Sequence, residues 1–128
     1  MPKNSSPNEV VSAMAACKLY KARSRARSLT RLYDKHLAPH NIRSTELSVL
    51  AVTQKLDNAR LHEIAEMLSM DLSSLSRTIG LLEKKDWVKI VKEGHRTRRA
   101  SLTKTGEAKL TEAYPAWQAA QKEAEKST

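Results

Sequence analysis

The 128-residue sequence has no phenylalanine, only three glycines and a single cysteine. One cysteine excludes an internal disulfide, and the default compartment for such a chain is a reducing cytoplasm. The glycines, at positions 80, 94 and 106, form neither a glycine-rich phosphate loop nor a Gly-x-Ser-x-Gly nucleophile turn. A Cys-x-x-Cys pair and a His-Glu-x-x-His helix are also missing. The sequence therefore predicts a protein that is not an enzyme and that carries no metal or organic cofactor.

Long apolar runs are missing as well. The most apolar N-terminal stretch, residues 10–17, is eight residues long and contains Ser12, so it is too short to cross a bilayer. Nothing in it resembles a signal peptide, and we expect a cytoplasmic protein without a membrane partner. Aromatic residues make up only 4% of a chain that is 40% hydrophobic. This composition predicts one domain, residues 1–128, with a core of Leu, Ile, Val, Ala and Met.

Negative charge is scarce. The 23 Lys and Arg residues exceed the 14 Asp and Glu residues, so the net charge is +9. A charge of this sign and size predicts a polyanionic partner. Two segments hold much of the excess. Residues 84–104 contain eight basic and two acidic residues, and residues 18–35 contain seven basic residues and one acidic residue.

Residues 61–82 have the pattern of two short helices joined by a tight turn. Apolar residues recur at helical spacing from Leu61 to Leu68 and again from Leu72 to Leu82, and Asp71 is a natural N-cap for the second helix. With its apolar stripe turned inward, the second helix presents hydroxyls and one guanidinium, which suit a major groove about 12 Å wide. An ordinary helical hairpin with a solvated face is the alternative. The candidate DNA-binding residues here are Ser73, Ser74, Ser76, Arg77 and Thr78.

A basic hairpin follows this pair of helices. Residues 87–92 are rich in β-branched side chains, residues 93–95 predict a turn, and residues 96–102 return as a second strand. A two-stranded ribbon with this charge can follow the sugar-phosphate backbone or place an arginine in the minor groove. The candidate DNA-binding residues here are Lys84, His95, Arg96, Arg98 and Arg99.

The order of these motifs resembles the winged-helix core of the MarR family, the multiple-antibiotic-resistance type of bacterial transcription regulator. The resemblance rests on Leu61-x-x-Ile-Ala-x-x-Leu68, residues 70–77, Leu82-Glu83, Trp87-Val88, Leu102-Thr103 and Gly106. Residues 29–39, 42–50 and 114–117 extend it over nearly the whole chain. It implies a mainly α fold with a small β-wing, in which a winged helix-turn-helix core at residues 44–103 is flanked by dimerisation helices at residues 6–38 and 105–126. It also implies a homodimeric regulator of double-stranded DNA, expected to be a repressor.

The sequence departs from the family pattern at three places. Gly94 stands where the family wing usually has an Asp that orients the arginine, so Arg96 is either less preorganised or served by Glu93. Asp86 stands where the family usually has Gly at a helix end, a mild change because Asp tolerates the left-handed conformation. The chain also ends at Thr128, before a further helix that family members usually have, so either the dimer is smaller or the natural chain has been cut.

The N-terminal segment predicts a dimer interface. Ser6 to Glu9 form a capping box with Pro7 at the first helical position, and the periodicity predicts one helix from there to Pro39. Its first half is apolar on nearly every face, so we expect a second subunit to cover it, while packing within one chain is the alternative. The matching residues on the C-terminal helix, which is expected to kink at Pro115, are Leu110, Tyr114, Trp117, Ala120 and Ala124.

Several residues have competing interpretations. The cations of residues 18–35 are a solvated face or, through Arg27, Arg31 and Tyr33, part of a site for a small anionic or aromatic effector. Cys17 is favoured as a small buried apolar residue, with a peroxide-sensing thiol as the alternative. His36 and His40 have metal-ligand spacing, but Pro39 interrupts the helix between them and no carboxylate cluster completes the shell. The alternative function is a protein-interaction module that no longer reads DNA, which the charge of the hairpin argues against.

Overall fold

The computed structural model describes residues 4–127, so the predicted domain limits at residues 1 and 128 lie outside it. The mainly α fold with a small β-wing is confirmed. Six α-helices surround a three-stranded antiparallel sheet, and a short 3-10 turn at Ala38–His40 follows the second helix. The elements are α1 (Pro7–Met14), α2 (Lys18–Leu37), α3 (Ser44–Leu56), β1 (Ala59–Arg60), α4 (Leu61–Leu68), α5 (Leu72–Lys84), β2 (Val88–Glu93), β3 (Thr97–Leu102) and α6 (Lys104–Lys126).

The winged-helix unit is built on one aliphatic core. Helices α3, α4 and α5 bring Leu50, Ile64, Leu75, Ile79 and Leu82 together, all fully buried. This matches the spacing of the apolar stripes in the sequence, since each stripe needs a facing helix to exclude water. The inner face of the sheet closes the core. Its strand order is β1-β3-β2.

The tight turn between α4 and α5 is confirmed in detail. Ser69 adopts the left-handed conformation at φ 54° and ends α4, and Asp71 caps α5. Asp86, two residues after the end of α5, adopts the left-handed conformation at φ 63°. The sequence predicts this, because Asp tolerates that conformation at a position where the family usually has Gly. The cap and the left-handed residues depend on contacts between residues close together in the chain, so the sequence can predict them.

The prediction of one continuous N-terminal helix is wrong. The helix is interrupted at residues 15–17, and Cys17 occupies the extended N-cap position of α2, with φ −62° and ψ 120°. No proline or glycine marks the break, so periodicity alone predicted continuity. The predicted start is confirmed, because the Ser6 hydroxyl accepts a hydrogen bond from the Glu9 amide at 3.2 Å.

Helices α2 and α6 pack against each other through polar pairs as well as apolar contacts. The Tyr33 hydroxyl donates to Oε1 of Gln121, and ring nitrogens of His36 and His40 lie 3.3 Å and 2.8 Å from carboxylate oxygens of α6. Helix α6 remains a single helix through Pro115. Within residues 4–127, no helix has the length and apolar character needed to span a membrane.

Candidate nucleic-acid interface

A chain of hydrogen bonds at the start of α5 orients its arginine. The Asp71 carboxylate accepts from the Ser74 amide at 3.0 Å and from the Ser74 hydroxyl at 2.8 Å. These bonds from Ser74, with the nearby Arg77 charge, lower the pKa of the Asp71 carboxyl below its usual value. The Ser74 hydroxyl oxygen in turn accepts from Nη2 of Arg77 at 3.2 Å. The cap thus fixes both the helix start and the position of an exposed guanidinium.

The five candidate residues of α5 fall into two groups. Ser73 and Arg77 are exposed, and Ser76 is half-buried at the edge facing the wing. The hydroxyls of Ser74 and Thr78 are engaged within the helix, since that of Thr78 donates to the Ser74 carbonyl at 3.1 Å. Their exposure makes Ser73 and Arg77 the best candidates for direct reading of a base edge, whereas the Ser76 hydroxyl also accepts a bond from Arg98. The DNA contacts of all five residues stay a prediction.

The wing is attached to α5 and to the loop before β1 by two arginines. Nη2 of Arg98 donates to the Ser76 hydroxyl at 3.3 Å, which connects β3 to the exposed face of α5. Arg99 is half-buried, pairs with Glu93 and donates to the Asn58 carbonyl at 3.1 Å. The bond from Arg99 lowers the pKa of the Glu93 carboxyl. These bonds position Arg99 to hold the wing in place. The sequence predicts it only as a DNA-contacting residue.

Of the remaining predicted residues, Lys84 is the last residue of α5, whereas His95 and Arg96 lie on the turn of the wing, and all three are exposed. Between the wing and the start of α4 lies a hollow of about 140 Å³ that Arg96 and Arg98 share with Arg60 and His62. Arg60 and His62 are not among the predicted DNA-binding residues, although both directly flank Leu61, the first residue of α4. Their proximity to the wing depends on β1 pairing with β3, where Arg60 lies opposite Arg99.

A larger cavity of about 600 Å³ opens between α2, α3 and α6. Its walls are mainly apolar and include the stacked rings of Tyr114 and Trp117, whose centroids are 5.9 Å apart. Tyr33, one of the predicted effector-site residues, lines this cavity, and its role in effector binding stays a prediction. Arg27 and Arg31 do not line it. The polar groups that do include the hydroxyls of Thr30, Ser44, Thr45 and Ser48.

His36, His40 and Cys17 form no common site. The two imidazoles pair with separate carboxylates, Glu123 and Glu112, and in the part of the chain that the structure describes no three His, Cys, Asp or Glu residues cluster as metal ligands. Cys17 is half-buried at the break between α1 and α2. The prediction that Cys17 lies inside one continuous helix is therefore wrong.

Comparison with known proteins decides the family. The sequence profile described as the MarR family matches residues 42–92. The structure of the M. tuberculosis transcriptional regulator MosR, solved in complex with DNA, is 30% identical, with a TM-score of 0.79 over 88% of this chain and 83% of that one. The chain belongs to the MarR family.

Two other MarR-family structures share the fold at lower identity. Wild-type apo MarR from E. coli is 23% identical, with a TM-score of 0.74 over 87% of this chain and 84% of that one. A cysteine-to-serine mutant of E. coli MarR complexed with operator DNA is 21% identical, with a TM-score of 0.79 over 96% of this chain and 87% of that one. No curated protein matches the chain.

Family membership gives the wing departure a concrete meaning. Glu93 does not replace the Asp that MarR-family wings usually carry, because its carboxylate is bound to Arg99. In residues 4–127, Arg96 has no carboxylate partner and remains exposed at the turn that contains Gly94, which has φ 72°. The wing tip of this MarR-family chain therefore carries an arginine that is not preorganised by an acid.

Proposed function

We propose that this MarR-family transcription regulator binds duplex DNA as a homodimer, with α5 in the major groove and the wing on the adjacent backbone or minor groove. The observation that carries the proposal is the joint surface of α5 and β3. There Arg98 bonds to Ser76, and the exposed Arg77 bonds to Ser74 of the helix cap. Base-edge donors and backbone-binding cations then lie on one face. The solved DNA complex of MosR supports the same use of the fold.

The dimer is proposed from apolar side chains that one chain leaves in water. Val11, Met14, Leu19 and Tyr20 are 67%, 60%, 62% and 63% exposed on α1 and α2. Tyr114 of α6 is 55% exposed. Exposed apolar residues grouped on the terminal helices indicate an interface, because burying each one stabilises an assembly by about 25 cal/mol per Å². We therefore assign residues 6–38 and 105–126 to dimerisation and residues 44–103 to DNA binding.

A Leu19→Glu variant tests the dimer. We expect the wild type to sediment as a dimer at micromolar concentration and to protect two half-sites about one helical turn, roughly 10 bp, or a multiple of it apart. The charged side chain should shift Leu19→Glu to monomer and weaken operator binding, because a buried unpaired carboxylate opposes association. Val91→Glu is the control for the oligomeric state alone, since Val91 is 52% exposed and away from the terminal helices but lies on the wing proposed to contact DNA. A wild-type monomer that still binds its operator tightly would refute the homodimer.

We further propose that the protein is a repressor released by a small aromatic acid bound in the 600 Å³ cavity. The cavity has the size and the mainly apolar lining of small-molecule sites, with hydroxyls to orient a polar group. It lies between α2 and α6, which are assigned to the dimer, and α3, which packs against α4 and α5. A ligand there can change the separation of the two DNA-binding units.

Ala51→Trp tests the effector site. Ala51 lines the cavity, so an indole at this position is expected to fill it while operator affinity stays within about twofold. Benzoate and its hydroxylated derivatives should release wild-type protein from DNA in a gel shift and should not release the variant. Ala108→Trp, at an exposed α6 position outside the lining, is the control and should respond like the wild type. Equal release of all three proteins would place the effector elsewhere.

A further inference from the structure

Four cations lie one helical turn apart on α2, within the segment assigned to dimerisation, and none of them is among the exposed apolar side chains on which that assignment rests. They are Arg23, Arg27, Arg31 and Lys35, which we call the cation ladder. All four are exposed, and none has a hydrogen-bond or ion-pair partner within residues 4–127. At 1.5 Å per residue the ladder is about 18 Å long, with steps of about 6 Å.

The ladder opposes the stability of its own helix. Side chains four residues apart are neighbours on a helix surface, so each step of the ladder is a repulsive like-charge pair. The first turn of α2 contains no acidic residue and begins with Lys18, which the helix dipole also disfavours. The one acid of α2, Asp34, lies next to the last two cations, and its Oδ1 accepts from the Ser44 amide at 2.7 Å, so the first two steps of the ladder have no acid beside them on their own helix. Solubility alone does not require this arrangement, whereas binding a polyanion does.

The position of the ladder separates it from the DNA surface of α5. Leu29, Tyr33 and Leu37 form the face of α2 that points toward α3 and α6. At about 100° per residue, the ladder is centred roughly 140° around the helix from that face. Helix α3 packs against both α2 and α5 and thus lies between them. The ladder therefore lies on a different face of α2 from the one that packs against α3 and α6.

The chemistry of the ladder favours the backbone of a nucleic acid. A duplex carries one negative charge per about 1.7 Å of axis, so a row of cations this long can neutralise several phosphates at once. A membrane surface would also need apolar residues beside the cations, and only Tyr20 lies on this side. The effector cavity does not use these charges, because neither Arg27 nor Arg31 lines it.

We propose that the cation ladder is a second, sequence-independent site for duplex DNA, which lets an operator-bound dimer hold another duplex. Bridging rests on the operator binding proposed above, whereas the ladder's own affinity for DNA does not. Four neutralised phosphates predict that the affinity for the second duplex falls with salt at a log–log slope of about −3.6.

The test immobilises an operator just long enough for two half-sites, saturates it with full-length protein and adds a labelled random-sequence duplex. Wild-type protein is expected to retain the label at low salt and to lose it with the predicted slope. Arg27→Glu/Arg31→Glu, checked by sedimentation to remain a dimer and compared at equal operator occupancy, should retain roughly tenfold less label or lower still, because two attractions become repulsions. Lys122→Glu/Lys126→Glu makes the same charge change at exposed positions of α6 and should bridge like the wild type.

Four results would overturn the proposal. The first is equal retention by the ladder variant and the wild type. The second is operator-bound wild type that retains no second duplex, or retains it only when the immobilised operator carries long flanks, which would assign the ladder to flanking DNA. The third is displacement of the label by polyglutamate as readily as by unlabelled duplex at equal charge, which would indicate an acidic protein partner. If operator binding itself fails, an Arg77→Ala/Arg96→Ala protein should still bind random duplex through the ladder, and loss of that binding would refute the site.

Discussion

Replacing Gly106 with alanine is expected to destabilise the folded protein by about 2–4 kcal/mol. A Cβ atom at this position would lie 1.9 Å from the carbonyl oxygen of Trp87 and 2.8 Å from its carbonyl carbon. These are backbone atoms, so no side-chain rotation can relieve the overlap, and α6 must move away from the β2 end of the wing. The same carbonyl accepts from the Thr103 amide at 3.1 Å, and that bond would be strained as well.

The measurement is thermal unfolding at fixed protein concentration, where a loss of this size lowers Tm by roughly 10 °C. Gly80→Ala is the matched control. Gly80 lies inside α5, and a Cβ there would meet nothing within 4 Å. Alanine at that position should therefore raise stability by about 0.5–1 kcal/mol through helix propensity. A Gly106→Ala protein as stable as the wild type would show that the contact between α6 and Trp87 is not a constraint on the fold.

The helix-turn-helix could be predicted from sequence because its signals are local. The stripes of α4 and α5 repeat at helical spacing, and the Asp71 cap acts over three residues. The left-handed position at Asp86 follows from a residue type that tolerates it. The exposed terminal helices were also predictable in kind, since a helix that is apolar on nearly every face needs a partner.

Features that depend on residues far apart in the chain could not be predicted from the sequence. Strand β1 has two residues and exists only because Ala59 and Arg60 pair with β3 about 40 positions later. The pairing of Arg99 with Glu93 and Asn58 could not be separated from the exposed arginines around it, because charge patterning does not show which guanidinium finds an acceptor. The cavity beside Tyr33 is likewise a consequence of tertiary packing. The helix break before α2 is marked by no proline or glycine, and nothing in the local pattern predicts it.

Replacing Arg77 or Arg96 with alanine is expected to change DNA binding in different ways. Arg77 is held by the Asp71–Ser74 cap on the exposed face of α5, so its loss should cost about 1–3 kcal/mol on operator DNA and relax the preference for operator over random duplex. Arg96 is an exposed wing residue with no acid to orient it in the described chain, so its loss should weaken all duplexes similarly and reduce the salt slope by about one. Gel shifts on both duplexes across a salt series measure the two quantities together.

Lysine at each position separates charge from geometry. Arg77→Lys keeps the positive charge but loses the planar fork, so it should resemble Arg77→Ala in specificity if the contact is to a base edge. Arg96→Lys should bind nearly as well as the wild type, because a backbone phosphate needs only the charge. Equal losses on operator and random DNA for the alanine variants at both positions would contradict the division of labour between α5 and the wing. In that case, specificity would have to come from Ser73, which is exposed on α5, and from Ser76, which is half-buried on the same face.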